Sequence, residues 1–192
     1  EGDIRLNTAY GMLLLRRGLL TESEKYFRKA LERMTWKNPN PYNSEAYYDL
    51  GLTLFYQGRY EEAYDAFFKA TWSNEQQEMS FYFLAAIAAR KGVLPLALEL
   101  IEKGLVKNSH NIKARGLKAA ILRKLGKREE AKQWIAENLK VDPFDYVSGY
   151  EAILLADDAE KTAKEQALKG QMRNFPQNFI QAAIDYRESG CF

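Results

Sequence analysis

An internal repeat of 34 residues limits the folds open to this chain more than any other feature. Three glycines, Gly58, Gly92 and Gly126, are spaced 34 residues apart. A small residue lies seven positions before each glycine, and an alanine lies five positions after it: Gly51, Ala85 and Ala119, then Ala63, Ala97 and Ala131. A period of this length is typical of proteins that stack one supersecondary unit many times.

Each repeat contains the pattern of two short helices. In segment 46–57 the apolar residues recur every three or four positions, which predicts one helical face. Gly58 then ends the helix, because glycine adopts the left-handed conformation of a helix C-terminus at little cost. A second helical pattern covers 60–71, so the two helices are expected to pack antiparallel. One such hairpin cannot bury its own apolar face, and stacked copies can. The sequence therefore predicts an all-α fold.

The spacing of residues within one copy resembles the tetratricopeptide repeat: Tyr47-x2-Leu50-Gly51-x8-Gly58-x-Tyr60-x2-Ala63-x3-Phe67-x2-Ala70. The resemblance implies a right-handed α-solenoid of stacked helix pairs, with about eleven helices. It places four repeats in 1–145, at about 4–37, 44–77, 78–111 and 112–145. A degenerate fifth hairpin follows over 146–175, and 176–192 matches helix A of a truncated sixth repeat. We therefore expect the chain to be a piece of a longer protein.

A second resemblance covers about residues 36–146. The runs 38–42, 45–52 and 62–72, together with 117–120 and 122–126, are similar to the C-terminal repeat region of large bacterial proteins. In that family the N-terminal part is an uncharacterised β-rich domain similar to mutarotase-like sugar-binding sandwiches. This resemblance implies an association with carbohydrate-related proteins. It supports an alternative function, an accessory module that contacts saccharide directly.

The scarcity of reactive side chains argues against an enzyme. With one Cys and one His, a single copy can form neither an internal disulfide nor an ordinary structural zinc site. The lone His110 follows Ser109, which could be activated as a nucleophile, but helix capping is the commoner role of such a serine. We expect a non-catalytic chain with no cofactor and no metal, although two converging carboxylates could still hydrolyse a glycoside.

The charges nearly cancel, with a formal net charge of +2. Segment 41–79 nevertheless has seven acidic and two basic residues, whereas 111–141 has nine basic and three acidic residues. The basic residues are spread over both helices of their repeat, so a nucleic-acid partner is not expected. No apolar run approaches the roughly 20 residues that span a bilayer. We expect a soluble chain that does not enter a membrane, with the cytoplasm favoured.

The inner face of the first helix in each repeat is the predicted binding groove, since in the resembled family this face is concave. Aromatic and arginine side chains on it are the usual anchors of a protein partner. The predicted groove residues are Arg16, Tyr48, Leu52, Phe55, Tyr56, Tyr82, Arg90, Lys113 and Arg123. Tyr48, Tyr56 and Tyr82 are expected to be exposed, while Leu52 and Phe83 could instead belong to the core. The sequence thus predicts a protein–protein interaction scaffold that binds a peptide segment or a partner domain, such as another domain of its own parent protein.

Some repeat domains bind the terminal carboxylate of chaperones through Lys, Asn and Arg at matched positions. Here those positions hold Thr8, Met12, Asp49, Met79 and Phe83. Because none of these side chains carries a positive charge, chaperone-tail binding is not expected.

Overall fold

The chain forms eleven α-helices in the residues that the computed structural model describes, 3–36, 38 and 43–190, and this part contains no strand. The all-α prediction and the number of helices are therefore confirmed. The helices are α1 (Ile4–Arg16), α2 (Leu20–Thr35), α3 (Glu45–Tyr56), α4 (Tyr60–Ala70), α5 (Gln77–Arg90), α6 (Leu94–Lys107), α7 (Ile112–Lys124), α8 (Arg128–Val141), α9 (Tyr146–Leu154), α10 (Asp158–Asn174) and α11 (Pro176–Ser189).

The chain divides into two compact units, residues 1–84 and 85–192, with the division inside α5. In the first unit α1 packs on α2, α2 on α3, and α3 on α4. In the second unit each helix from α6 to α11 packs on the next along the chain. Both units are therefore built from stacked antiparallel helix pairs.

The turn within each helix pair confirms the role predicted for the repeated glycine. Gly58 has a φ of +80° and Gly126 a φ of +75°, a conformation that other residues adopt only with strain. These turns fix the short connection that makes the two helices of a pair antiparallel.

The side chains repeated at 34-residue spacing form the core of each unit. Phe67, Ile101 and Ile135 occupy equivalent places in the second helix of three pairs, and all are buried. A Cβ atom built on Gly51 would lie 2.8 Å from ring atoms of Phe67. The small residue of the first helix is thus required because the aromatic ring of the second helix lies directly against its backbone.

None of the helices in the described ranges is long and apolar enough to cross a membrane. The same residues also contain no group of three or more His, Cys, Asp and Glu side chains that could hold a metal ion.

Candidate functional site

The predicted groove residues of the first unit differ widely in exposure. Arg16 and Tyr56 are exposed, and Tyr48 and Leu52 are half-buried. Tyr82, by contrast, is 1% exposed, and Phe55 is 4% exposed. The expectation that Tyr82 is an exposed anchor is therefore wrong. Its substitution by alanine would remove part of the core instead of probing a binding surface.

An aromatic cluster explains this burial. The rings of Phe67 and Phe83 stack with centroids 4.8 Å apart and planes 4° from parallel. Phe55 and Tyr82 each meet the edge or face of Phe83, at centroid distances of 5.2 Å. The buried position of Phe83 agrees with the core alternative left open above. Aromatic residues of the predicted groove are thus used in part to hold α3, α4 and α5 together.

In the second unit α7 and α9 are the first helices of two successive pairs. The face that these two helices form is covered by α11, which contacts both of them. Stacking alone would place a sixth-repeat helix beside α9 and α10, so the contact with α7 was not predicted. The assignment of 176–192 to a sixth repeat stays a prediction, and residues 191–192 lie outside the described residues. We call the surface of α7 and α9 beneath α11 the α7–α9 face.

Two predicted groove residues of α7 make polar contacts at this face. Lys113 forms an ion pair with Asp185 of α11, with Nζ and Oδ1 2.9 Å apart. Arg123 donates from Nε to Glu151 Oε2 at 2.5 Å. The Glu151 side chain is fully buried, so its charge needs a partner of this kind.

Tyr186 of α11 completes the same network. Its hydroxyl donates to Glu151 Oε1 at 2.6 Å, and its ring meets Tyr150 edge to face with centroids 5.6 Å apart. Burial, and then the charge of Glu151, raise the pKa of the Tyr186 hydroxyl far above its ordinary value. The hydroxyl therefore stays protonated and acts as a donor. The resulting chain of contacts runs from α7 through α9 to α11.

Basic side chains also bind the carboxyl-terminal end of α11. Arg90 donates to the carbonyl oxygens of Arg187 and Glu188, and Lys124 donates to the carbonyl oxygen of Gly190 at 3.2 Å. Carbonyl groups at a helix C-terminus lack partners within the helix and carry its negative dipole end. The cations thus satisfy this end both as donors and as charges.

The excess of positive charge in 111–141 is largely engaged within the second unit. Lys118 pairs with Glu102 at 2.8 Å, and Lys118 and Arg115 both lie over the ring of Trp134, 4.4 and 4.5 Å from its centroid. Together with the contacts of Lys113 and Arg123, these pairs mean that the basic segment holds its own neighbours and α11.

The pair of Ser109 and His110 lies on an exposed turn, with Oγ and Nδ1 3.2 Å apart. The next helix is capped by Asn111, whose Oδ1 accepts from the backbone nitrogen of Ala114 at 3.0 Å, so the capping role predicted for Ser109 is wrong. A nucleophilic serine also needs a group that orients the imidazole. In the described part of the chain no carboxylate bonds to this ring.

Family models agree with the repeat geometry. A tetratricopeptide-repeat model matches residues 4–71, and a second tetratricopeptide-repeat model matches residues 112–145. Together they cover more than half of the chain. The chain belongs to the tetratricopeptide-repeat family.

Solved structures of tetratricopeptide-repeat (TPR) proteins share its fold. YrrB, a TPR protein with an unusual peptide-binding site, is 22% identical, with a TM-score of 0.69 over 97% of this chain and 93% of its own. The 41-end fragment of MamA from Desulfovibrio magneticus RS-1 is 18% identical, with a TM-score of 0.75 over 89% and 96%. PilF of Pseudomonas aeruginosa is 21% identical, with a TM-score of 0.75 over 97% and 81%. These structures show that the chain has the TPR fold.

Proposed function

We propose that this chain is a non-catalytic scaffold that binds a helical segment of a partner protein on the α7–α9 face. The observation that carries the proposal is that α11 already lies there, held by Lys113, Arg90 and Lys124. The docked α11 serves as a template for the ligand. A matching partner presents an acidic residue followed by tyrosine, as in Asp185-Tyr186, and directs its helix C-terminus toward Arg90.

The electrostatics of the α7–α9 face support this ligand class. The carboxyl-terminal end of a helix carries a partial negative charge, and Arg90 and Lys124 lie where that end docks. Lys113 supplies a third cation, which lies where an acidic side chain about one turn earlier would dock, as Asp185 does. A helix bound in the opposite direction would place its positive end against these cations.

Loose packing around α11 supports its exchange for a partner. A mainly apolar cavity of about 420 Å³ lies between α9, α10 and α11, lined by residues that include Tyr150, Leu168, Met172 and Phe179. The cavity is partly open to solvent, so apolar side chains around it, such as Tyr150 and Phe179, stay partly exposed. Since α11 is only partly packed on its neighbours, a segment that also fills this cavity would gain contacts that α11 lacks.

In the first unit, the accessible residues of the predicted groove form a separate contact area in this proposal. Arg16, Tyr48, Leu52 and Tyr56 remain candidates there, because their side chains are at least partly exposed.

The test uses a fluorescent peptide of residues 175–190 added to the full chain. In the wild-type chain the attached α11 competes with the peptide. A chain carrying Asp185→Asn and Tyr186→Phe loses the Lys113 ion pair and the Glu151 hydrogen bond, so its α11 should undock more often. Fluorescence anisotropy should then show at least tenfold tighter peptide binding to this loosened chain, since the two contacts together contribute about 2 kcal/mol.

Lys113→Gln in the loosened chain should weaken peptide binding. Its matched control is Lys164→Gln, which removes an exposed lysine of α10 that pairs with Glu160 at 2.6 Å and should have no effect. Equal binding by the wild-type and loosened chains, or equal effects of the two lysine substitutions, would overturn the proposal. Calorimetric titration with oligosaccharides tests the alternative function, an accessory module of a bacterial protein that contacts saccharide directly. Binding heat with a glycan and none with the peptide would favour this alternative.

A further inference from the structure

The first unit contains a cavity of about 300 Å³ between the first helices of its two pairs, α1 and α3. Its walls are mainly apolar. The polar lining residues are Arg5 and Thr8 of α1, Glu45 and Asp49 of α3, and Asn43. The lining residues are Ile4, Arg5, Thr8, Ala9, Met12, Met34, Asn43, Glu45, Ala46 and Asp49. This volume is within the range of small ligand pockets.

One carboxyl oxygen at this cavity lacks a hydrogen-bond partner. Asp49 is 2% exposed, and its Oδ2 atom accepts no hydrogen bond. Buried polar atoms are nearly always hydrogen-bonded, so an exception requires an explanation. A buried carboxylate is especially costly without a cation or a donor nearby. Asp49 therefore provides an acceptor that the fold itself does not use.

The charged groups around Asp49 favour a cationic ligand. Glu45 lies one turn earlier on α3 and also lines the cavity, whereas Arg5 lines it from α1. None of the described ion pairs joins Arg5 to Asp49. Burial, and then the charge of Glu45, raise the pKa of Asp49 to about 7. A cation entering the cavity would lower this pKa by stabilising the ionised carboxyl group.

We propose that this cavity binds the ammonium group of a lysine side chain supplied by a partner protein. The ammonium group pairs with the carboxyl group of Asp49, and the alkyl stem lies against Met12 and Met34. Lysine fits better than arginine because a single oxygen needs a donor, whereas a guanidinium group is suited to two parallel hydrogen bonds. This site goes beyond the proposed function, since it lies in the other unit and does not depend on the α7–α9 face.

The experiment follows the methyl groups of Ala9 and Ala46 by NMR in the full chain. The probe is Nα-acetyl-lysine methylamide, and its uncharged match is Nα-acetyl-norleucine methylamide. At pH 8 the lysine probe should cause saturable shifts of both methyl resonances, and the norleucine probe should not. Because Asp49 is mostly protonated one unit below its pKa, affinity should fall about tenfold at pH 6.

Three variants separate the charge from the cavity. Asp49→Asn keeps the shape of the side chain and should abolish binding. Asp65→Asn removes an exposed acid of α4, outside the cavity, and should change nothing. Arg5→Gln should strengthen binding, because it removes a cation that repels the probe.

Equal shifts with the two probes would mean an apolar cavity without a cation site and would overturn the proposal. Binding that survives Asp49→Asn, or no binding of the lysine probe at pH 8, would overturn it too. These outcomes leave the peptide experiment on the α7–α9 face untouched, because that experiment reports on residues of the second unit.

Discussion

Replacing Asp49 with asparagine should stabilise the chain by an amount that grows with pH. The wild-type carboxyl group is buried, has an oxygen without a hydrogen-bond donor, and has a pKa raised from 3.8 to about 7 by burial and by Glu45. The substitution removes the titratable charge and nearly preserves the volume. The comparison therefore isolates the free energy of burying this one charge.

The magnitude follows from the difference in pKa between the folded and unfolded chains. Each pKa unit corresponds to about 1.4 kcal/mol, so ionised Asp49 destabilises the native state by about 4 kcal/mol above pH 7. The folded chain binds this proton more tightly, so this contribution lowers the free energy of unfolding as pH rises from about 4 to about 7. Below that window the contribution is absent. Between pH 5 and pH 8 the advantage of the variant should grow by about 3 kcal/mol.

Urea denaturation followed by circular dichroism, repeated across this pH range, measures the difference. Asp65→Asn is the control, and its curve should stay parallel to that of the wild type because Asp65 is exposed. Parallel curves for the wild type and Asp49→Asn between pH 5 and pH 8 would refute the reasoning. Asp49 would then have the same pKa in the folded and unfolded chains.

Three other substitutions test the packing. Gly51→Ala should lower the free energy of unfolding by about 1–2 kcal/mol, because clash with the Phe67 ring, costing about 1–3 kcal/mol, exceeds the helix preference of alanine, about 0.5–1 kcal/mol. Gly170→Ala, where a Cβ meets nothing within 4 Å, should instead raise it by about 0.5–1 kcal/mol. Urea titration of both variants checks the pair, and equal effects would contradict it. Tyr82→Ala should cost about 3–5 kcal/mol, visible as a lower melting temperature in calorimetry; an unchanged value would mean that Tyr82 is not a core residue.

The periodic part of the fold was predictable because each repeat uses the same positions for the same contacts. Gly58 and Gly126 end a helix in the same conformation, and Phe67 and Ile101 are buried at equivalent places. The role of a residue in one helix pair therefore predicts the role of the residues 34 positions away in the neighbouring pairs. The alternation of helix and turn follows from local pattern alone.

The features that lie outside this periodicity were not predictable. The ion pair of Lys113 and Asp185 joins residues far apart in the sequence, and nothing in the repeat pattern relates them. Tyr82 has the spacing of a groove residue, but its burial depends on rings that the spacing does not locate. Glu151 was a missed site residue. Its place in an apolar helical run, between Tyr150 and Ala152, was the one available signal that it needs an internal partner.

The attachment of α11 to the rest of the chain sets a threshold for any ligand of the face that it covers. A helix joined through the short connection at Phe175 acts at an effective concentration of the order of millimolar. A free ligand encounters an open face only for the fraction of time that α11 is away, and its apparent Kd is the intrinsic value divided by that fraction. If the face is open for about one hundredth of the time, affinity is reduced about a hundredfold. The tether would therefore make the chain insensitive to weak, dilute segments and responsive to those delivered at high local concentration.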